Sequence, residues 1–552
     1  VTETAMHFTA GNTSDAPRSD LPELLSALAA DLRGVGYTVD GVAGLLGESA
    51  YSALGRDQII PSLIATESAA KGDPEAAALA AVVRLWLLAV PQRAEVLDAA
   101  LPGVRTQGLL TLGLVEPSAA GETGPDPASG TVRAKADLRP YGWSGDAATG
   151  AGGADLWVAS DLAAHQQAGV LRHDHVLGIG QASTTLVQTT IRRQVPRALD
   201  LGTGCGIQTF HLLHHADHVT ATDISARALA FTRFNLLLNA GALGIDPATP
   251  EDRVSLRLGS LLEPVAGEAF DLVVSNPPFV ITPRSVGEAA ADQYTYRDGG
   301  LPGDDIVASL VRELPSVLTP AGTAQLLGNW EVVAGTPWQE RPQSWAGPDV
   351  DSWFIQRELV GPEQYAETWL QDASESRDRR RYQDAYAAYL DDFASRNVEG
   401  IGFGMIFLRR PADGARPVIS RFEEITYAIE QPIGPHLGAA VERADWLAAN
   451  DLSAAHLLVA EDVTEERHQR PGAEHPGVIL LRQGAGLRRT NLLSTELAGF
   501  VSACDGDLSA GQIIGALDAL LGGGDGFDGE AFRNGLLTEV RNLVRDGFLL
   551  PA

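Results

Sequence analysis

Residues 275–279 read Ser-Asn-Pro-Pro-Phe, and Asn276 lies seventy positions beyond Gly206, the end of the run Asp200-Leu-Gly-Thr-Gly-Cys-Gly206. Pro277 and Pro278 stop an apolar strand, remove two backbone donors and fix the chain direction. The Asn276 amide oxygen and the Pro277 carbonyl can then face one point, with Phe279 beside them. Two converging acceptors next to an aromatic ring suit a planar nitrogen group that donates N–H bonds. The glycine-rich turn suits a nucleoside cofactor. Together they suggest methyl transfer to nitrogen.

The turn follows an apolar strand and opens a helix, so its glycines permit a tight bend and close approach of the backbone to a ligand. Asp223 lies seventeen residues beyond Gly206, at the end of the next apolar strand. A carboxylate there can accept both hydroxyls of a ribose. The spacing is Gly-x-Gly-x-Gly rather than Gly-x-Gly-x-x-Gly, and an acidic residue opens it. That pattern disfavours a dinucleotide and favours S-adenosylmethionine.

On these residues the segment 173–335, with the strand at 402–408, resembles the class I S-adenosylmethionine-dependent methyltransferases. The resemblance implies a Rossmann-like α/β fold with a seven-stranded sheet. It implies that Gly202, Thr203, Gly204 and Gly206 contact the methionine part of the cofactor, that Asp200 lies near its amino group, and that Asp223 holds the ribose. Ser260 and Leu261 fall where the family meets adenine, although many relatives carry an acid at the Ser260 position.

The Asn276–Phe279 motif resembles that of methyltransferases acting on amide or exocyclic amino nitrogens. By that resemblance Asn276 and the Pro277 carbonyl orient the nitrogen toward the cofactor methyl and stabilise developing positive charge, while Phe279 stacks on the planar group. A helical domain, a β-hairpin and then the core resembles the release-factor glutamine N-methyltransferases, in which Tyr stands at the Phe279 position. Asn-Pro-Pro-Phe also occurs in enzymes methylating amino groups of ribosomal RNA bases. The leading substrate is a protein or peptide glutamine. A nucleic-acid base is the alternative, and a small molecule or modified peptide the third.

Pro278, Tyr296, Arg297 and Trp330 are the substrate-side candidates: Tyr296 and Arg297 as a lid after the motif, Trp330 at a strand end. His175–Gln181 could cover the cofactor. His211, His214, His215 and His218 lack a thiolate or carboxylate pattern to complete a metal site, so no metal is expected and they read as a solvated helix end.

A chain of 552 residues implies several domains. The expected organisation is a helical N-terminal domain at 1–125, read either as a winged helix or a plain bundle, and a hairpin linker at 126–165. A methyltransferase domain follows at 166–412, interrupted at 336–398 by Trp- and Arg-containing helices. A mixed α+β accessory domain takes 413–552, with a winged-helix pattern at 477–552. Residues 462–476 read as a charged break.

The net charge of −30 opposes nucleic acid as partner, because phosphate neutralisation supplies much of such affinity. Lys71 and Lys135 are the only lysines, a composition typical of high-GC bacterial coding sequences. No apolar run is long enough to span a bilayer, and Cys205 and Cys504 form no disulfide framework. A cytoplasmic enzyme without a membrane partner is expected.

Overall fold

The computed structural model describes residues 15–118, 130–143, 153–163, 166–167, 172–283, 300–372, 379–522 and 528–552. Tyr296 and Arg297 lie outside them. The chain forms two compact units, one of residues 1–187, 194–347 and 359–410, the other of 188–193, 348–358 and 411–552.

The first unit opens with helices Pro22–Gly34, Val39–Leu54, Ile60–Ala69 and Pro74–Trp86. Asp73 caps the fourth by accepting the Glu75 N–H at 3.1 Å, with Pro74 at the position where a missing donor costs nothing. A short strand Gln92–Arg93, helices Ala94–Ala100 and Arg105–Leu112, and strands Val115–Pro117 and Thr131–Ala134 follow. Thr131–Ala134 pairs with both other strands. The order is helix, short strand, two helices and a three-residue and a four-residue strand.

Six strands of the first unit form its main sheet: β1 Val195–Leu201, β2 Ala216–Asp223, β3 Val254–Leu258, β4 Phe270–Ser275, β5 Leu318–Val333 and β6 Val398–Arg409. Their spatial order is β3-β2-β1-β4-β5-β6, parallel except for antiparallel β6. Apolar residues bury both faces of β1 and β4, as a parallel sheet covered by crossover helices requires. This is the doubly wound α/β arrangement. The order reverses between β1 and β4, which places a crevice beyond their carboxyl ends. Both chemical motifs sit at those two ends.

A hairpin of strands Asp137–Trp143 and Ala154–Ser160 packs on the helix Ala226–Leu238 that follows β2. Asn235 and Asn239, one turn apart, act as a surrogate strand. Asn235 accepts the Ala159 N–H at 2.7 Å and donates to the Ala159 carbonyl; Asn239 does the same for Trp157. Buried amide side chains thereby satisfy a strand edge that lacks a ladder.

Residues 336–398 hold helices Glu340–Trp345, Pro362–Asp372 and Arg379–Ser395, but also a strand, Asp351–Val360, where only helices were expected. Its first six residues are all buried although Asp351, Ser352 and Gln356 are polar, so the sequence shows neither the alternation of a strand nor a clear apolar run. In the second unit that strand runs parallel to Ser420–Glu424.

The second unit also holds a helix Gly434–Ala449 and two antiparallel three-stranded sheets. One joins Val463–His468, Val478–Gln483 and Thr490–Leu493. Residues 463–468, expected as part of a charged break, are therefore a strand; backbone pairing to 478–483 overrides the charge of its side chains. The other places His456–Val459 between Asp505–Ser509 and Leu549–Pro551. Helices Thr495–Ser502, Ala510–Leu521 and Gly529–Asp546 pack Leu497, Phe500, Ile513, Val540 and Leu543 into one core. The helix–strand–helix–helix–strand order begins within 477–552, but its central strand comes from upstream of residue 477.

Candidate functional site

The turn after β1 takes its shape from three glycines with positive φ: Gly202 at 78°, Gly204 at 58° and Gly206 at 97°. An L side chain adopts such angles only at a cost. A Cβ on Gly202 or Gly204 would meet nothing within 4 Å, whereas one on Gly206 would approach Thr232 at 3.2 Å. Gly202 and Gly204 thus present bare backbone to open space, and Gly206 allows close packing of the following helix.

Asp200 lies beneath this turn and is wholly buried. Its Oδ2 accepts from the Thr203 hydroxyl at 2.8 Å, the Thr209 N–H at 3.0 Å and the Thr209 hydroxyl at 2.6 Å. Its Oδ1 is buried without a hydrogen-bond partner. Desolvation outweighs those bonds and pushes the carboxyl up to about 6. Asp223, at the end of β2, accepts the N–H of Gly204 and of Ser225, and burial raises its carboxyl as well. Thr232 donates to the Gly204 carbonyl at 2.8 Å, and Asn235 to the Cys205 carbonyl at 2.9 Å. The turn is held from below, from β2 and from the next helix.

A cavity of about 850 Å³ opens beyond the ends of β1 and β4. Gly202, Thr203, Gly204 and Asp223 line it, as do Ser260 and Leu261 and the motif residues Asn276, Pro277 and Pro278. Leu261 holds φ at 45°, a left-handed angle that turns its backbone beside the cavity. The Asn276 Oδ1 is buried and has no hydrogen-bond partner. Ser275 donates to the Leu201 carbonyl at 2.8 Å and locks the two motif-bearing strand ends together.

Other candidates fall elsewhere. Asp200 and Gly206 do not line the cavity; they shape the turn that does. The Phe279 ring is also absent from the lining and meets Phe403 edge-on, centroids 6.4 Å apart. Trp330 is wholly buried and stacks on Trp338 at 5.6 Å, so it packs the interior instead of facing a substrate. His175–Gly180 does line the cavity. Of the histidines expected as a solvated helix end, His211 and His215 are buried, whereas His214 is exposed. His211 shares a 2.7 Å hydrogen bond with the Tyr141 hydroxyl, and Trp143 packs on both His211 and His214. The hairpin covers His211, which the helix's own sequence does not reveal. Among the described residues no group of three or more His, Cys, Asp and Glu side chains could hold a metal ion.

Asp161 was not foreseen. It lines the cavity, accepts the Val176 N–H at 2.8 Å and forms a two-pronged ion pair with buried Arg227. It thereby anchors the 175–180 segment to the helix after β2. The available signal was its place directly after the buried strand 154–160.

Residues 161–293 match the family described as Methyltransferase small domain, and residues 34–125 match a Domain of unknown function (DUF7059). A "Ribosomal protein uL3 glutamine methyltransferase" of Bradyrhizobium diazoefficiens is 33% identical over 159 residues, 28% of this chain and 46% of the relative. A "Release factor glutamine methyltransferase" of Geobacter sulfurreducens is 30% identical over 169 residues, 28% of this chain and 56% of the relative. The chain spans about half the length of these curated relatives. A solved 16S rRNA N2 G1207 methyltransferase of T. Thermophilus is 17% identical, with a TM-score of 0.22 over 47% of this chain and 62% of that one.

Proposed function

We propose that the methyltransferase domain at 161–293 binds S-adenosylmethionine on the Gly202–Gly206 turn and methylates a planar amide nitrogen, a protein glutamine side chain. The buried, unpartnered Oδ1 of Asn276, a residue that lines the cavity, carries this reading. A buried acceptor without a donor costs free energy in the empty protein, on the order of 1–3 kcal/mol, and recovers it when an N–H arrives.

The residues fit the cofactor. Bare backbone at Gly202 and Gly204 leaves room for its amino-acid end, and the Asp223 carboxylate suits a ribose diol. Ser260 and the turned Leu261 backbone supply polar groups for a base. When bound, the cofactor supplies an electrophilic methyl on a sulfonium. The protein's part is orientation: Asn276 Oδ1 and the Pro277 carbonyl accept the two amide N–H groups and hold the nitrogen in place. These two oxygens also favour the charge that grows on nitrogen. Phe279 supports the motif from behind through Phe403 rather than stacking on the substrate.

The glutamine methyltransferase names of the relatives support glutamine as the target. The formal charge of −30 supports a protein partner over nucleic acid. Tritiated-methyl labelling of a lysate, divided between protease and ribonuclease digestion, tests the proposal. Label released by protease is expected; label released only by ribonuclease would overturn the glutamine assignment.

A further inference from the structure

The β4 ladders with β1 and β5 end at Ser275, and within the motif that follows only Phe279 forms an isolated bridge. The prolines restrict it but add no donors. The first backbone N–H beyond the motif held by a side chain is that of Ile281, which donates to the Tyr365 hydroxyl at 2.8 Å. The same hydroxyl accepts from Asn329 Nδ2 at 3.2 Å, within β5. The Tyr365 ring stacks on Phe403 with centroids 5.7 Å apart and planes 22° apart, and Phe403 meets Phe279 edge-on. Tyr365 thus reaches the motif by two routes, a hydrogen bond five residues after Asn276 and a ring contact through Phe403.

Tyr365 belongs to helix Pro362–Asp372, within the segment that interrupts the methyltransferase pattern. That helix and Arg379–Ser395 bury Tyr365, Tyr389, Phe393, Ile281 and Ile401 in one cluster. The cluster supplies the rigidity; the hydroxyl supplies the direction.

We propose that Tyr365 is a positioning residue: its hydroxyl sets the Asn276–Phe279 loop so that the Asn276 oxygen and the Pro277 carbonyl converge, and the inserted helices exist at this place to hold that hydroxyl. The proposal rests on the reading of Asn276 as the transfer site. Tyr365→Phe keeps the ring and its packing and removes only the hydroxyl. Hydrogen exchange at the Ile281 amide should accelerate about tenfold, the expected effect of losing one buried bond, while amides 199–206 stay unchanged. Affinity for S-adenosylhomocysteine by calorimetry and KM for S-adenosylmethionine should hold, and kcat for methyl transfer to total ribosomal protein should fall about tenfold. Unchanged Ile281 exchange would overturn the proposal, as would faster exchange with undiminished kcat. If wild-type protein transfers no methyl group to protein or RNA, the methyltransferase reading fails instead, and the Ile281 exchange still decides whether Tyr365 holds the loop.

Discussion

Asp223 Oδ2 accepts the Gly204 N–H at 3.0 Å. The carboxylate that ends β2 therefore closes the turn that ends β1, while its other oxygen accepts the Ser225 N–H at 2.8 Å. One side chain shapes the turn backbone and lines the cavity, and in the proposed function it would meet the cofactor ribose. Asp223→Ala removes both contributions. Its affinity for S-adenosylhomocysteine, measured by calorimetry, is expected to fall roughly 10- to 100-fold, the range for a lost charge-assisted hydrogen bond.

Asn276→Ala separates binding from transfer. The cavity keeps its glycine turn and Asp223, so S-adenosylhomocysteine affinity should stay within about twofold. Methyl incorporation should drop roughly 10²–10³-fold, as when one preorganised polar group is removed from a reacting centre. Undiminished incorporation would show that the Asn276 oxygen does not orient the nitrogen.

Gly204→Ala tests the turn itself. At φ 58° an alanine costs about 1–2 kcal/mol, and its methyl enters open space instead of a packed wall. Modest loss of stability in urea, together with loss of S-adenosylhomocysteine binding, is the expected pair of results.

The pH dependence of stability reports on Asp200. Its folded carboxyl is pushed up to about 6 by burial, above the ordinary aspartate value of 3.8. The folded state then holds a proton that the unfolded state has released between about pH 4 and 6, so stability falls as pH rises through that window and levels off above it. Asp223 contributes with the same sign, since burial raises it too. Asp200→Asn can keep an acceptor for Thr203 and Thr209 without the buried charge. Relative to wild type it should gain stability from pH 4 to pH 7, by on the order of 3 kcal/mol. Paired urea titrations at the two pH values measure this; a constant difference would rule out Asp200 as the titrating group.

Much of the unit that carries the parallel sheet is local in origin. β1 and β4 carry short apolar stretches, β3 alternates and β2 is rich in Val and Thr, and each is ended by turn residues, so their positions are legible in order. Gly202, Gly204, Asp223 and Asn276–Pro278 announce themselves because left-handed turns, strand-ending carboxylates and proline pairs are properties of a few adjacent residues. The parallel order then follows from the strand–helix alternation, which brings the two motifs to the same end of the sheet.

Tertiary structure decided what depends on partners distant in sequence. Phe279 is an aromatic beside two acceptors in the chain, yet Phe403 draws its ring off the cavity. Trp330 is taken into the interior by Trp338, and His211 is covered by Tyr141 and Trp143. Asp161 gains its place through Arg227, and Ile281 through Tyr365, eighty-four residues away. The sequence determined which residues can form a cofactor turn and a nitrogen-facing motif, because backbone geometry and residue chemistry are local. Which side chains face the cavity and which support it was decided by packing, because a side chain takes the direction in which its neighbours leave room and complete its hydrogen bonds.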